Sequence, residues 1–427
     1  MKRGIVALMT VMSFTPAAFA HDVTVDGDPS DWTFPLAPFD NLGMLSRDAA
    51  DNAEYVWRDA SGDERTDFGN SSNEDLLQFR VTIGTSRVYF LVELNGVVTP
   101  SGDGAPQVQI AIDLDHQAGS GQQWLGSNCD TQVAAGAAWE YLVVTRFGSG
   151  QAPAVFDTSF SDIGAGGTVA VLSGNVIEIG VDSSVFGSTP SAPAYFTVAV
   201  VRSNASDEAW DIAGASDVMD AVTNYGTVGS VQNTWNDVSD GVLDYNFALW
   251  FHLSNTGDPS PPLVVNEFLA DAVSEPQGEW IELYNRTGAD LSLDGYKVGD
   301  EETLGGGEGM EAFPAGGLVT ADGAVVVARS GAQFSTDYGF LPDFEFDDTS
   351  GAADMVPFTD WASGSVSLGN AGDEIILLDP HDTVIDVVTY GSGSWVGVTA
   401  ASAVPEGHSL ERPQPRPDTD DCSVDFV

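Results

Sequence analysis

Leu77-Gln78-Phe79-Arg80-Val81-Thr82-Ile83-Gly84-Thr85-Ser86-Arg87-Val88-Tyr89-Phe90-Leu91-Val92-Glu93-Leu94 is the stretch that decides the fold class. Leu77, Phe79, Val81 and Ile83 alternate with Gln78, Arg80 and Thr82, the period-two pattern of a strand with one apolar face. Gly84-Thr85-Ser86 supplies a turn, after which Val88, Phe90, Val92 and Leu94 again share a face. Val108, Ile110, Ile112 and Leu114 repeat the pattern, and further strands are expected at 139–147, 175–182, 195–202 and 246–253. Only 214–224 has the character of a short helix. Forty-seven glycines and Asn/Asp/Ser-rich connectors provide turns at the spacing of antiparallel sandwiches. The expected fold class is all-β: two antiparallel β-sandwich domains.

The composition limits function. Of 427 residues, 64 are Asp or Glu and 14 are Lys or Arg, a formal net charge of −50. Only two are lysines, Lys2 and Lys297. A surface this acidic repels phosphate backbones, so nucleic acid is not expected as the main partner. It suits a saline (halophilic) or calcium-containing medium, where cations screen or bind carboxylates. With 43% hydrophobic and 10% aromatic residues the chain can nevertheless build cores.

Lys2 and Arg3, the apolar run Ile5-Val6-Ala7-Leu8-Met9 and the small-x-small Ala18-Phe19-Ala20 read as a secretory signal peptide over 1–20. The expectation is a secreted protein, extracellular or periplasmic, whose mature chain begins at His21. No later apolar stretch is long enough to span a bilayer as a helix, so no transmembrane segment is expected. Cys129 and Cys422 are the only cysteines, too few for a zinc framework, and the sequence leaves open whether they pair. The clearest boundary is the proline-rich Ser254-Asn255-Thr256-Gly257-Asp258-Pro259-Ser260-Pro261-Pro262. It divides a first sandwich, 21–253, from a second, 263–427, with 254–262 as linker.

The second half carries an ordered series of local patterns. It opens on Val264-Val265-Asn266-Glu267-Phe268, followed by Glu279-Trp280-Ile281-Glu282-Leu283-Tyr284-Asn285 and Asp290-Leu291-Ser292-Leu293-Asp294-Gly295-Tyr296. Phe313-Pro314-Ala315-Gly316-Gly317, Leu368-Gly369-Asn370-Ala371-Gly372-Asp373, Val384-Ile385-Asp386-Val387-Val388-Thr389-Tyr390 and Gly407-His408-Ser409-Leu410-Glu411-Arg412 come after. This half closely resembles the lamin-tail domain. The resemblance implies an immunoglobulin-like sandwich serving as a binding or architectural module. Trp280 and Leu293 are expected to fill its core, Glu279, Glu282 and Arg412 to form an internal ion pair, and the acidic insertion 340–361 to be a loop. Tyr296 stands where that family usually has Trp.

Val25-Asp26-Gly27-Asp28-Pro29-Ser30-Asp31-Trp32 resembles the opening of family 9-like carbohydrate-binding modules and related DOMON-type sandwiches. The stretch from Trp57 to Glu64, with Asp75-Leu76 after it, is similar to the C-terminal sugar-binding module of glucodextranase-type enzymes.

Two loops have the hard oxygen ligands that Ca²⁺ prefers. One spans Asp59, Asp63 and Asp67 around the flexible Gly62, and the other carries Asp113 and Asp115. Neither has EF-hand spacing, and ordinary acidic turns are the alternative. Trp124 and Trp210 lie in polar loops where a flat indole can stack on a sugar ring, the alternative being that they cap a sandwich edge. Five histidines, none in H-x-H or H-E-x-x-H spacing, and the lack of a G-x-S-x-G or phosphate-binding loop weigh against metal, acyl-transfer or nucleotide chemistry.

The leading expectation is a secreted, non-catalytic binding or adhesion protein. It is calcium-stabilised, takes carbohydrate or cell-surface material, and uses the lamin-tail-like half for attachment. The alternatives are a metal-dependent or carboxylate enzyme on extracellular polymers and a structural envelope component. Carboxylate repulsion this strong predicts that the melting temperature rises with added NaCl or Ca²⁺. A melting temperature unchanged between low and molar salt contradicts that expectation.

Overall fold

The computed structural model describes residues 21–427 except 33–36, 48–52, 66–73, 116, 187–193, 213–215, 223–240, 244–248, 252–260, 404 and 414–417. The signal-peptide reading of 1–20 and most of the expected linker fall outside the described residues. The fold is all-β, as the alternation predicts. Among the described residues its largest sheet has eleven strands. From one edge it runs Val356–Pro357, Met310–Ala312, Lys297–Gly299, Gly372–Leu378 and Val384–Gly391, then Leu42–Arg47, Ala53–Arg58, Leu76–Ile83, Arg87–Leu94, Val176–Asp182 and Thr168–Ser173. The first five strands come from the second half of the chain and the last six from the first.

Each half of this sheet is covered by a second sheet. Over the first half lie Val218–Ala221, Ala194–Ser203, Ala105–Asp113, Tyr141–Val144 and Ala154–Asp157, with Leu249–Phe251 also paired to Ala194–Ser203. Over the second lie Ala353–Asp354, Phe344–Asp347, Ala324–Ser330, Trp280–Asn285, Leu263–Leu269 and Leu410–Glu411. The rings of Phe79, Phe90 and Phe196 meet between the first pair of sheets with centroids 5.9–6.2 Å apart. Burial of such side chains at about 25 cal/mol per Å² is the main cohesive term.

The expected hairpin forms with Gly84 donating to the carbonyl of Arg87 at 2.8 Å. Its polar positions do not face water, however. Arg80 and Thr82 are buried under the stretch that begins the described chain, and Arg80 donates to the carbonyl of Trp32 and to Glu54, both at 3.2 Å. The Asp26-Gly27…Trp32 motif is the clasp of that stretch. The buried Glu178 carboxylate accepts from the amides of Asp26 (2.8 Å) and Gly27 (2.6 Å) and from the Trp32 indole (2.9 Å). Gly27 has φ +83° and a Cβ there would stand 2.4 Å from that of Ser173, so only glycine fits.

Three expectations are corrected. Within 214–224 the described residues form the strand Val218–Ala221, not a helix, because Val218 and Ala221 find partners on Ala194–Ser203. The acidic insertion 340–361 is not a plain loop. Phe344–Asp347 extends one sheet in parallel pairing with Ala324–Ser330, and Val356–Pro357 edges the other. Glu279, Glu282 and Arg412 do not pair with one another: Leu368 donates to Glu279, Asn266 donates to Glu282, and Arg412 serves a different cluster. Among the described residues the longest helix, Gly331–Tyr338, is N-capped by Ser330 and closed by Gly339 in the left-handed conformation.

The halves meet where Leu42–Arg47 pairs in parallel with Val384–Gly391 through the register Met44↔Val384. Buried charge surrounds this seam. Arg412, 1% exposed on its side chain, reaches Asp418 at 2.7 Å, Asp386 at 3.4 Å and Asp425 at 3.5 Å. From the other half, Arg47 lies 3.8 Å from Asp418, and its amide donates to Asp420 at 2.7 Å. Asp386 also accepts from the amide of Val265 at 2.6 Å. Burial alone would raise the Asp418 carboxyl, but Arg412 and Arg47 outweigh it and hold it at about 2.

Removing one member of such a network strands the others. Arg412→Ala is expected to lower the unfolding free energy by about 3–5 kcal/mol in urea titrations. Arg58→Ala breaks a pair with Asp40 (2.8 Å) whose side chains are 42% and 48% exposed. Its expected cost is below about 1 kcal/mol.

Candidate functional site

Trp124 and Trp210 are brought to two neighbouring cavities of the first sandwich. Trp124 follows Gln122, whose side-chain oxygen accepts from the amides of Gln123 (2.9 Å) and Trp124 (3.0 Å). The Trp124 carbonyl accepts from the indole of the fully buried Trp139 at 3.1 Å. Trp124 is left 45% exposed. It lines a cavity of about 560 Å³ together with Phe156, Phe160, Arg146 and Asp207. Trp210 lines a second cavity of about 520 Å³ with Asn204, Asp211 and Asp217.

The two cavities share Asn128, Asp130 and Glu208, so they adjoin. Asn128 donates to Glu208 at 3.0 Å, and Ser127 and Asn128 both have positive φ, which turns their loop tightly toward Glu208. Trp210 is less free than its loop suggested. Its indole donates to Asp103 at 3.2 Å, and the Arg202 guanidinium sits 5.3 Å from the ring centroid. Arg202 is itself held by Glu74 at 2.9 Å. The neighbourhood offers aromatic faces beside amide, carboxylate and guanidinium groups, which is how proteins commonly hold polar, ring-shaped molecules.

The acidic loops also converge, with partners the spacing did not reveal. Asp59 and Asp63 meet Asp220 of the Val218–Ala221 strand, one oxygen of each within 4.8 Å of the others. All three are buried. Asp67 lies outside the described residues. Asp113 and Asp115 meet Glu140 by the same measure. That second group is half committed to loop bonds: Asp113 accepts from Asp115 (3.0 Å), Asp115 from Ser120 (2.9 Å) and Glu140 from Leu114 (2.8 Å). A third group, Glu301, Glu302 and Glu308, lies in the second half. Oxygens each about 2.4 Å from one ion stand at most about 4.8 Å apart, so all three groups have dimensions a Ca²⁺ ion can bridge.

Asp220 and Glu140 were missed because contacts between distant segments bring them in, whereas Glu301, Glu302 and Glu308 lie close in the chain, on the connection between Lys297–Gly299 and Met310–Ala312. The carboxyl of Asp63 is pushed up to about 7, first by burial and then by Asp75. Cys129 and Cys422 are separate buried thiols and form no disulfide. Among the described residues no helix is long and apolar enough to cross a membrane.

The second half presents the strand order, the Trp280–Asn285 centre and the Gly372–Leu378/Val384–Gly391 hairpin of an immunoglobulin-like sandwich. Residues 256–392 match the family model of the Lamin Tail Domain. That match falls in the half of the chain, 263–427, whose sequence resembles the family, but starts seven residues before it. In its core Leu293 is fully buried, Tyr296 takes the aromatic position, and Trp280 packs beside the helix against Phe334 and Tyr338. A crystal structure of a DUF4876 family protein from Bacteroides thetaiotaomicron is similar at 12% identity and a TM-score of 0.30, over 76% of this chain and 91% of that one. No curated protein matches the chain.

Several buried carboxyls of the lamin-tail segment are raised chiefly by burial: Asp379 to about 8, Glu374 to about 7 and Glu311 to about 7. Unfolded, such groups titrate near 4. Their stabilising contribution is therefore complete below about pH 4 and is lost as pH climbs through 7–8. Asp418, held at about 2, works oppositely: its contribution is present above about pH 4 and fades as pH falls through 2. In low-salt buffer with a chelator, the melting temperature is expected to peak at mildly acidic pH and to fall towards pH 8. A melting temperature that rises across that interval contradicts this account.

Proposed function

We propose that the protein is a secreted, non-catalytic binding protein that takes extracellular carbohydrate along the Trp124–Trp210 face. On this reading calcium steadies the first sandwich through its acidic loops. The lamin-tail segment serves attachment to cell-surface material or assembly. The observation that carries the reading is the pair of adjoining cavities, each with a tryptophan and with Asn128, Asp130 and Glu208 between them. Two aromatic platforms flanking hydrogen-bonding groups suit a chain of sugar rings, each ring stacking while its hydroxyls meet amide and carboxylate oxygens. The resemblance of 21–253 to carbohydrate-binding modules points the same way. Its Asp26-Gly27…Trp32 signature serves docking here and not ligand contact.

A glycan-array screen of the chain from His21 onward, in calcium-containing buffer, tests the proposal. Binding to a defined oligosaccharide is expected, with Trp124→Ala and Trp210→Ala each weakening it by about tenfold, near 1.4 kcal/mol. Uniform lack of binding, or unchanged binding by both variants, removes the carbohydrate assignment.

A further inference from the structure

Asp59 follows the end of the Ala53–Arg58 strand, and Asp63 follows the turn at Gly62, which has φ +86°. That turn is drawn in by Asp75, which accepts from the Gly62 amide at 3.1 Å and from Asn95 at 2.8 Å. Asp220 arrives from a distant part of the chain on Val218–Ala221. Asp63 is only 2% exposed, and among the described residues neither of its oxygens accepts a hydrogen bond. Burying a charged carboxylate without donors is costly, a penalty that a bound cation removes. One of these two unsatisfied oxygens lies within 4.8 Å of an oxygen of Asp59 and of Asp220, so the buried side chain is aimed at the other two carboxylates.

We infer that Asp59, Asp63 and Asp220 hold one Ca²⁺ ion, and that its occupancy sets the shape of the Trp210 cavity. The inference rests on the calcium part of the function proposed above and adds the regulation of its ligand face. The coupling runs through the strand Val218–Ala221 and the two residues before it. The amide of Arg65 donates to the carbonyl of Met219 at 2.7 Å, and its guanidinium donates to the carbonyl of Ser216. Asp217, next along, accepts from the amides of Asp130 (2.8 Å) and Ile212 (2.9 Å). Asp130 and Asp217 are both walls of the Trp210 cavity. An ion that draws the Asp59–Arg65 loop onto Asp220 therefore fixes Ser216 and Asp217, and through them Asp130. Without the ion, three buried carboxylates repel and that stretch loosens.

The test uses the chelator-stripped chain from His21 onward and CaCl₂ alone. Calorimetry is expected to show a Ca²⁺ equivalent that Asp63→Asn removes or weakens by roughly tenfold or more. Asp115→Asn is expected to keep it. Hydrogen-exchange mass spectrometry is expected to show Ca²⁺ slowing exchange over 216–222 and 128–131 in the parent chain but not in Asp63→Asn. Equal calcium binding by the parent and Asp63→Asn overturns the site. Calcium binding without protection of 128–131 overturns the coupling. Should Asp63→Asn prove unfolded by circular dichroism, Asp59→Asn replaces it, and the exchange comparison on the parent chain still decides. None of these measurements uses a glycan, so they stand or fall separately from the carbohydrate assignment.

Discussion

A guanidinium withdrawn from water must find its neutralising oxygens inside the protein, and at Arg412 this requirement shapes the whole molecule. Its partners Asp386, Asp418 and Asp425 come from the second half of the chain, and Asp418 is shared with Arg47 of the first half. Satisfying both cations places Leu42–Arg47 beside Val384–Gly391, and the eleven-stranded sheet follows from that contact. The apolar core is likewise continuous, with Leu45 and Tyr55 in one cluster with Leu263 and Val388. The ring contact of Tyr195 with His381, centroids 6.1 Å apart, adds a further tie. The face bearing Trp124 and Trp210 therefore stands on a sheet braced from outside its own sandwich.

With 64 acidic and 14 basic side chains, the chain cannot neutralise its buried carboxylates by ion pairing alone. It uses backbone amides and hydroxyls in their place. Glu178 is held by two amides and an indole. Glu345 accepts from the amides of Gly331 and Ser350 and the hydroxyls of Thr349 and Ser350, which together overcome burial and keep its carboxyl below the ordinary value. Asp300 takes the amides of Gly309 and Ser367, which offset burial only in part, so its carboxyl still rises to about 6. Asp63 is the contrast, a carboxyl of equal burial with no such donor among the described residues. Charge that the fold answers with its own dipoles is structural, and charge left unanswered points to a ligand.

The strands were legible because period-two alternation and glycine-rich turns are local properties. Leu77–Leu94, Val108–Leu114 and the lamin-tail patterns all appear close to where the sequence places them. The Val218–Ala221 segment was misread because a short run with Val, Met and Ala suits either secondary structure, and pairing with Ala194–Ser203 decides it. Arg80 and Thr82 read as a solvent face, but a covering segment anchored by Glu178 lies over them. The placement of Trp124 and Trp210 at one site, and of Asp220 beside Asp59 and Asp63, depends on contacts between distant parts of the chain. No residue spacing carries that information.

The shared seam also bears on how portable the lamin-tail segment is. Its family match ends at residue 392, yet the strand Leu410–Glu411 closes the edge of its sheet, and Arg412 and Asp418 lie further on. A fragment cut to the family boundary would expose the Leu263–Leu269 edge and leave Asp386 without its guanidinium. Released from its neighbour, even the full second half would offer an unpaired strand and buried acids to solvent. In this chain the module behaves less as a transferable cassette than as half of one girder, completed by the sandwich that precedes it.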